Sequence, residues 1–352
     1  MTEIYQEGTE ELLKRETPTY RQAYSDRTCW LMSCMSELAY KRFNEFIPGV
    51  NIQQFVDEEL SKLVSASSTG KAAKFVSMVQ ALSYDHEEEL RELNQGLAYF
   101  NAELVSPFDK NGTQAILVKT NQFYVLAFRG TEATSLRDIK SDANAVLTKC
   151  DTKGFVHAGF NDAYADVKNV IAEKLKEIED EGKPLLITGH SLGGAIATIA
   201  AKRLKFKSGI AACYTFGSPR VGDHDWISEI KTPLHRVVNA ADCVTMLPPN
   251  GVAIGALSML VKWVPNVGPR VSEWLSSKFG RYIHAGNMRF LSNCKCEPYE
   301  DVQLLYHVSL IYRLKALWIK GRAPNSLLKD HSISVYRKKL KVVAEKRNSI
   351  ES

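Results

Sequence analysis

Gly189-His190-Ser191-Leu192-Gly193-Gly194 is the stretch that decides the fold. The apolar run Leu185-Leu186-Ile187-Thr188 precedes it, and a small-residue segment, Ala195 to Lys202, follows. The order predicts a strand that turns abruptly into a helix. At such a turn the two backbones almost touch, and the apex residue sits in a strained conformation. Glycines two positions either side of Ser191 meet that demand, as the pattern G-x-S-x-G requires. The hydroxyl of Ser191 is then pushed out of the fold. The N–H of Leu192 falls at a helix N-terminus, where free donors and the helix dipole favour negative charge.

The surrounding chain supplies the rest of an α/β pattern. Ala115 to Val118 and Phe123 to Phe128 read as two strands joined through Thr120-Asn121-Gln122 in a hairpin. Phe160, Ala163, Val167, Ile171, Leu175 and Ile178 recur every three or four residues, which predicts a helix closed near Gly182. Ala211 to Phe216, Leu234 to Val238 and Asn287 to Leu291 read as further strands, and Leu304 to Ile319 as a helix with a stripe at Leu304, Val308, Ile311, Leu314 and Trp318. Strands alternating with helices predict a mainly parallel sheet flanked by helices. Residues 1–100 read as helices packed on one side of that core, with stripes at Cys29 to Phe43, Phe55 to Val64 and Phe75 to Leu82. Residues 337–352 read as a basic tail.

Composition narrows the class. The 352 residues suffice for one large domain, and a net charge of +5 with no arginine-rich, aromatic-interleaved stretch argues against nucleic acid. Seven cysteines without regular spacing predict reduced thiols rather than a disulfide framework. Residues 1–15 are acidic and polar, without the apolar core of a cleavable leader. The expectation is therefore a cytoplasmic protein, or one exported without a cleavable signal peptide, as a secreted effector is. The apolar run Val252 to Val267 is broken by Gly255, Lys262 and Pro265 and falls short of a membrane span.

A serine nucleophile needs a base within hydrogen-bond reach and an acid that orients the base. Chain order selects among eight histidines. His190 adjoins Ser191, and its side chain is expected to point away. His331, in the loop-like Lys329-Asp330-His331-Ser332, follows every predicted strand and is assigned as base; His284 is the second choice. For the acid, Asp242 and Asp223 each follow a strand, and both are topologically allowed. The alkoxide formed on attack needs two donors: the N–H of Leu192, and Thr131 in Arg129-Gly130-Thr131.

These segments together resemble the class 3 lipases, an α/β-hydrolase family. The resemblance lies in Ala127 to Thr131, Val156 to Phe160, the elbow, Thr215-Phe216-Gly217-Ser218-Pro219-Arg220-Val221-Gly222, and Arg236-Val237-Val238-Asn239 leading to Asp242. Tyr282 to Gly286 and Asp330 to Tyr336 look like the late histidine segments of its bacterial and plant branch. It implies Ser191 as nucleophile, Asp242 rather than Asp223 as acid, His331 as base, and Thr131 with Leu192 as oxyanion donors. The implied activity is that of a carboxylic ester hydrolase, of triacylglycerol lipase or phospholipase A type, needing no metal or organic cofactor. Thr131 to Lys149 carries Glu132, Arg137, Asp138, Lys140 and Asp142, more polar than an interfacial lid, which tilts the expectation toward phospholipids. Gly251 to Val264 is expected in an acyl groove or at a lipid surface, and Arg337 to Arg347 at anionic head groups. The rival readings are an esterase for small esters and a catalytically silent, lipase-like binding or signalling protein.

Overall fold

Three hydrophobic runs, Tyr124–Phe128, Leu185–His190 and Ile210–Phe216, lie side by side and are buried at every position. Strands covered on both faces carry no polar alternation, and these three sit at the centre of the sheet for that reason. The computed structural model describes residues 12, 24–41, 86–130, 146–248, 273, 281–294, 296–320 and 329–351. Its elements run α1 (Asp26–Leu38), α2 (His86–Tyr99), β1 (Glu103–Lys110), β2 (Thr113–Lys119), β3 (Tyr124–Phe128), β4 (Leu147–Lys149), β5 (Phe155–His157), α3 (Ala158–Glu177), β6 (Leu185–His190), α4 (Leu192–Arg203), β7 (Ile210–Phe216), α5 (His224–Ser228), β8 (Leu234–Asn239), β9 (Asn287–Leu291), β10 (Leu304–Leu305), α6 (Leu310–Lys320) and α7 (Ile333–Glu351).

Eight strands form one sheet in the order β1-β2-β3-β6-β7-β8-β9-β10. From β3 to β9 neighbouring strands are parallel; β1, β2 and β10 add antiparallel margins. The sheet is mainly parallel, with α3 and α4 on one face and α1 and α7 on the other, which is the α/β-hydrolase architecture. One core layer joins Phe160, Val167 and Ile171 of α3 to Ile196 and Ile199 of α4. The second joins Met32, Met35 and Leu38 of α1 to Tyr336 and Leu340 of α7. Burying side chains of this size contributes about 1.5–3 kcal/mol each.

The β2–β3 hairpin closes as its sequence predicts: Thr120 Oγ1 accepts the N–H groups of Gln122 and Phe123. Helix α3 ends in a short turn, Glu179–Glu181, whose following Gly182 takes φ 71°. Strand β1 was not expected; it holds Pro107 and lies at the sheet edge, where the missing N–H costs no ladder bond.

Two expectations are corrected. The predicted helix from Leu304 to Ile319 is split: Leu304 and Leu305 pair with Leu291 and Phe290 as β10, and α6 begins at Leu310 after Ser309, whose Oγ accepts the N–H of Tyr312. Two positions of the expected apolar stripe face solvent. Ile311 is 78% and Trp318 70% exposed, whereas Arg313 is buried, because its guanidinium is drawn inward to Thr245. The second correction is the tail. Residues 337–351 are helical, and Arg337, Lys339 and Lys341 are buried. Arg337 bonds Glu37, and Lys339 donates to Asn239 Oδ1 and the Ser292 carbonyl, so these cations are held inside the fold, while the exposed Arg347 pairs with Asp26 at the surface. The helices expected at Phe55 to Val64 and Phe75 to Leu82, and the apolar segment Gly251 to Val264, lie outside the described residues, as does 131–145 of the polar segment.

Candidate active site

Ser191 stands alone between β6 and α4, with φ 57° and ψ −127°. That conformation is disfavoured for a residue with a side chain and persists only where the surroundings enforce it. Here glycine contacts enforce it. A Cβ on Gly189 would overlap the Gly193 carbonyl, and one on Gly193 would overlap the Phe128 carbonyl. On Gly194 it would meet the Ser218 side chain at 2.8 Å. The turn can close only with bare backbone at these positions.

The far end of the chain supplies the candidate base. His331 lies on a helical turn, residues 329–331, that leads directly into α7, and not in the loop the sequence suggested. Its Nε2 is 2.9 Å from Ser191 Oγ, and its Nδ1 is 3.0 Å from each carboxylate oxygen of Asp242. A carboxylate only accepts, so Nδ1–H donates to Asp242 and Nε2 offers its lone pair to the serine hydroxyl. All three residues are buried, and Ser191 has no exposed surface.

Asp242 is fixed by its own neighbours. Its Oδ1 accepts the Val244 N–H at 3.0 Å, its Oδ2 accepts the Tyr336 hydroxyl at 2.6 Å, and its carbonyl accepts Thr245 Oγ1 at 2.9 Å. Tyr336 in turn accepts the Asn239 N–H. Burial raises the Tyr336 phenol well above its ordinary range, with the Asp242 charge adding to the effect, so it remains a donor. Gly217, at φ 60°, floors the group: a Cβ there would lie 2.8 Å from Asp242 Oδ2 and 3.0 Å from the His331 ring.

Sequence reasoning missed several supports. His190 was expected to point away, yet its ring centroid lies 4.6 Å from that of His331. His190 Nε2 donates to the His331 backbone carbonyl at 2.6 Å, and its Nδ1 then accepts the Tyr40 hydroxyl at 2.8 Å. Burial, followed by the neighbouring His331 charge, holds the His190 imidazole well below its usual pKa, so it is neutral in this arrangement. Asp330 braces the same loop: its Oδ2 accepts the Ala241 N–H and its carbonyl accepts Asn239 Nδ2. Tyr336 was visible in the late histidine segment. Tyr40 gave no signal, since nothing in the sequence places α1 against the elbow.

The remaining candidates separate cleanly. Leu192 opens α4, where the helix itself gives its N–H no acceptor. Gly130, at the end of β3, abuts the elbow: a Cβ there would overlap the His190 carbonyl and lie 3.2 Å from Ser191 Cβ. Thr131 lies outside the described residues. Asp223 caps α5, accepting the N–H groups of Trp226 and Phe155, and pairs with Arg281 at 2.6 Å. Desolvation of the His284 ring, followed by the charges of Arg236, Arg220 and Arg313, holds its pKa well below the usual value. All seven cysteines are free, and no cluster of potential metal ligands occurs among the described residues.

Comparison with known proteins agrees with this frame. The model of the family Lipase (class 3) matches residues 125–252. The secreted mono- and diacylglycerol lipase MDL5 of Malassezia globosa is 31% identical over 159 residues, 40% of this chain and 50% of that one. The chloroplastic phospholipase A(1) DAD1 of Arabidopsis thaliana is 30% identical over 195 residues, 45% of this chain and 42% of that one. The chain thus spans about half the length of the curated relatives it matches. Among solved structures, lipase II from Rhizopus niveus aligns with TM-score 0.48 at 19% identity, covering 80% of this chain and 94% of that one. The strand order above, rather than that distant likeness, establishes the fold. Residues 125–252, which hold the elbow and Asp242, are thus the part of this chain that matches the class 3 lipase family.

Proposed function

We propose that this protein is a serine carboxylic ester hydrolase that cleaves acyl esters of lipids through an acyl-enzyme on Ser191. The observation that carries the reading is the continuous line from Ser191 Oγ through the His331 ring to the Asp242 carboxylate. His331 Nε2 takes the hydroxyl proton as Ser191 Oγ attacks the ester carbonyl carbon. The imidazolium so formed faces the Asp242 charge, which stabilises it. The Leu192 N–H receives the alkoxide oxygen, with Thr131 as second donor by family resemblance. Collapse breaks the ester C–O bond, and the leaving alkoxide takes the proton from Nε2. Water, deprotonated by the same nitrogen, then attacks the acyl-enzyme and releases the fatty acid.

The lipid substrate is drawn from two lines of support. Relatives named for mono- and diacylglycerols and as a phospholipase A(1) point to acyl lipids. The charged residues of 131–145 favour a polar head group. The test is lipid profiling of a mixed extract with purified wild type and Ser191→Ala. Wild type should release fatty acid with matching loss of one acyl-lipid class, and the variant should be slower by at least about 10³-fold. Activity confined to short, soluble esters contradicts the lipid assignment. Equal activity in the variant contradicts the nucleophile.

A further inference from the structure

Behind the Asp242 loop lies a group of buried cations that the hydrolytic reading does not use. Arg220 follows β7, Arg236 lies on β8 and Arg313 on α6; each is 6% exposed or less. Arg220 Nη1 donates to the carbonyls of Met246 and Pro248, and Arg313 Nη2 donates to Thr245 Oγ1, so two of the three hold the same short segment, residues 245–248. Arg236 Nε and Nη1 and Arg313 Nε are buried and have no hydrogen-bond partner among the described residues.

No carboxylate among the described residues lies within 4 Å of any of the three guanidinium groups. Asp242 is the nearest acid to make itself felt, and it acts on Arg313. Its oxygens are already taken by His331, Tyr336 and Val244. The three positive charges repel one another. Burial lowers Arg236 to about 9, with Arg313 and Arg220 adding to the effect, and burial with Arg313 lowers Arg220 to about 10. Guanidinium remains the last side chain to give up its proton, so the charges persist at neutral pH. Buried charge without a counter-ion is costly, and folded proteins pair it.

We propose that Arg236 and Arg313 bind a small inorganic anion of halide size, which acts as the counter-ion of this cluster and stiffens the loop that carries Asp242. A halide suits the site because it accepts hydrogen bonds from any direction. The donors come from a strand and a helix rather than from one planar fork. The same loop residues, Thr245, Met246 and Pro248, are held by Arg313 and Arg220, so neutralising the cluster tightens the mount of the triad acid.

The experiment uses the full chain at constant ionic strength, with gluconate replaced stepwise by bromide. The thermal midpoint should rise with saturation. A crystal grown in bromide should show one anomalous peak within hydrogen-bond reach of Arg236 Nε. In Arg236→Gln the saturable rise should shift to at least about tenfold higher bromide, the loss expected for one charged donor. If that variant fails to fold, Arg313→Lys and the wild-type bromide crystal decide. A midpoint linear in bromide, or density at Arg236 Nε that fits water without anomalous signal, overturns the proposal. The readouts are stability and occupancy, so the result is independent of whether the protein hydrolyses lipids.

Discussion

His190 Nε2 donates a hydrogen bond to the main-chain carbonyl of His331, 141 positions later in the sequence. The residue before the nucleophile thereby fixes the backbone of the base. The ring is held at Nδ1 by Asp242 and its main chain is held by His190, so the first bond resists rotation of the ring and the second resists displacement of the backbone that carries it. Tyr40 completes the chain by donating to His190 Nδ1, which fixes the tautomer that makes Nε2 the donor.

Tyr40→Phe keeps the ring and leaves the fully buried His190 Nδ1 without its donor. The expected cost is about 1–3 kcal/mol of stability, read by urea unfolding. The variant should lose kcat while KM stays within about twofold, because the change misplaces the base and not the substrate. A rise in KM at constant kcat contradicts a positioning role.

Tyr336→Phe removes the phenol that donates to Asp242 and accepts from Asn239. Packing is retained, so the core around α7 should survive. The turnover rate should fall by about tenfold to a hundredfold, the equivalent of about 1.4–2.7 kcal/mol in the barrier. Wild-type turnover in this variant contradicts the assignment of Tyr336 as the support of the acid.

Acid should destabilise the fold through three histidines that burial keeps neutral. Burial holds His190 and His284 well below the usual value, and lowers His235 from 6.5 to about 4. Below about pH 6.5 the unfolded chain binds protons that the folded chain refuses, so stability falls as pH drops toward each folded pKa. Each group contributes up to about 1.4 kcal/mol per pH unit inside its window. Urea midpoints between pH 8 and pH 5 should fall only below about 6.5. His235→Phe, away from the triad and packed between Tyr24 and Tyr214, should flatten that slope. An unchanged slope in the variant contradicts the assignment for His235.

Two glycine substitutions should differ sharply. Gly193→Ala drives a Cβ into the Phe128 carbonyl, where strand and helix backbones meet and neither can withdraw. It should cost more than about 3 kcal/mol or prevent folding. Gly112→Ala meets nothing within 4 Å and suffers only from its φ of +81°, so about 1–2 kcal/mol is expected. Comparable losses in both, measured by thermal unfolding, contradict the account of the elbow.

Much of this was legible from residue order. Glycine spacing around Ser191, the buried strand runs and the position of Asp242 after β8 follow from sterics and hydrophobic pattern, both local. His331 was legible by chain order, though its helical mount was not, since Lys329-Asp330-His331-Ser332 reads as a turn. The polar supports escaped because they are contacts between distant segments: Tyr40 with His190, Tyr336 with Asp242, Lys339 with Asn239. The same blindness produced the errors at α6 and α7. Periodicity reports where a residue falls on a helix but not whether a buried acceptor waits for its cation. Lys339 was therefore read as part of a basic tail, and Arg313 drew no expectation.

The most direct measurement is the mass of the Ser191 peptide after rapid acid quenching of wild-type protein during turnover of a long-chain acyl ester. The account predicts one acyl adduct on Ser191, formed and discharged at rates consistent with turnover, accumulating when hydrolysis is slowed and absent in Ser191→Ala. Steady hydrolysis by wild type with no adduct on that peptide, together with undiminished hydrolysis by Ser191→Ala, would contradict it.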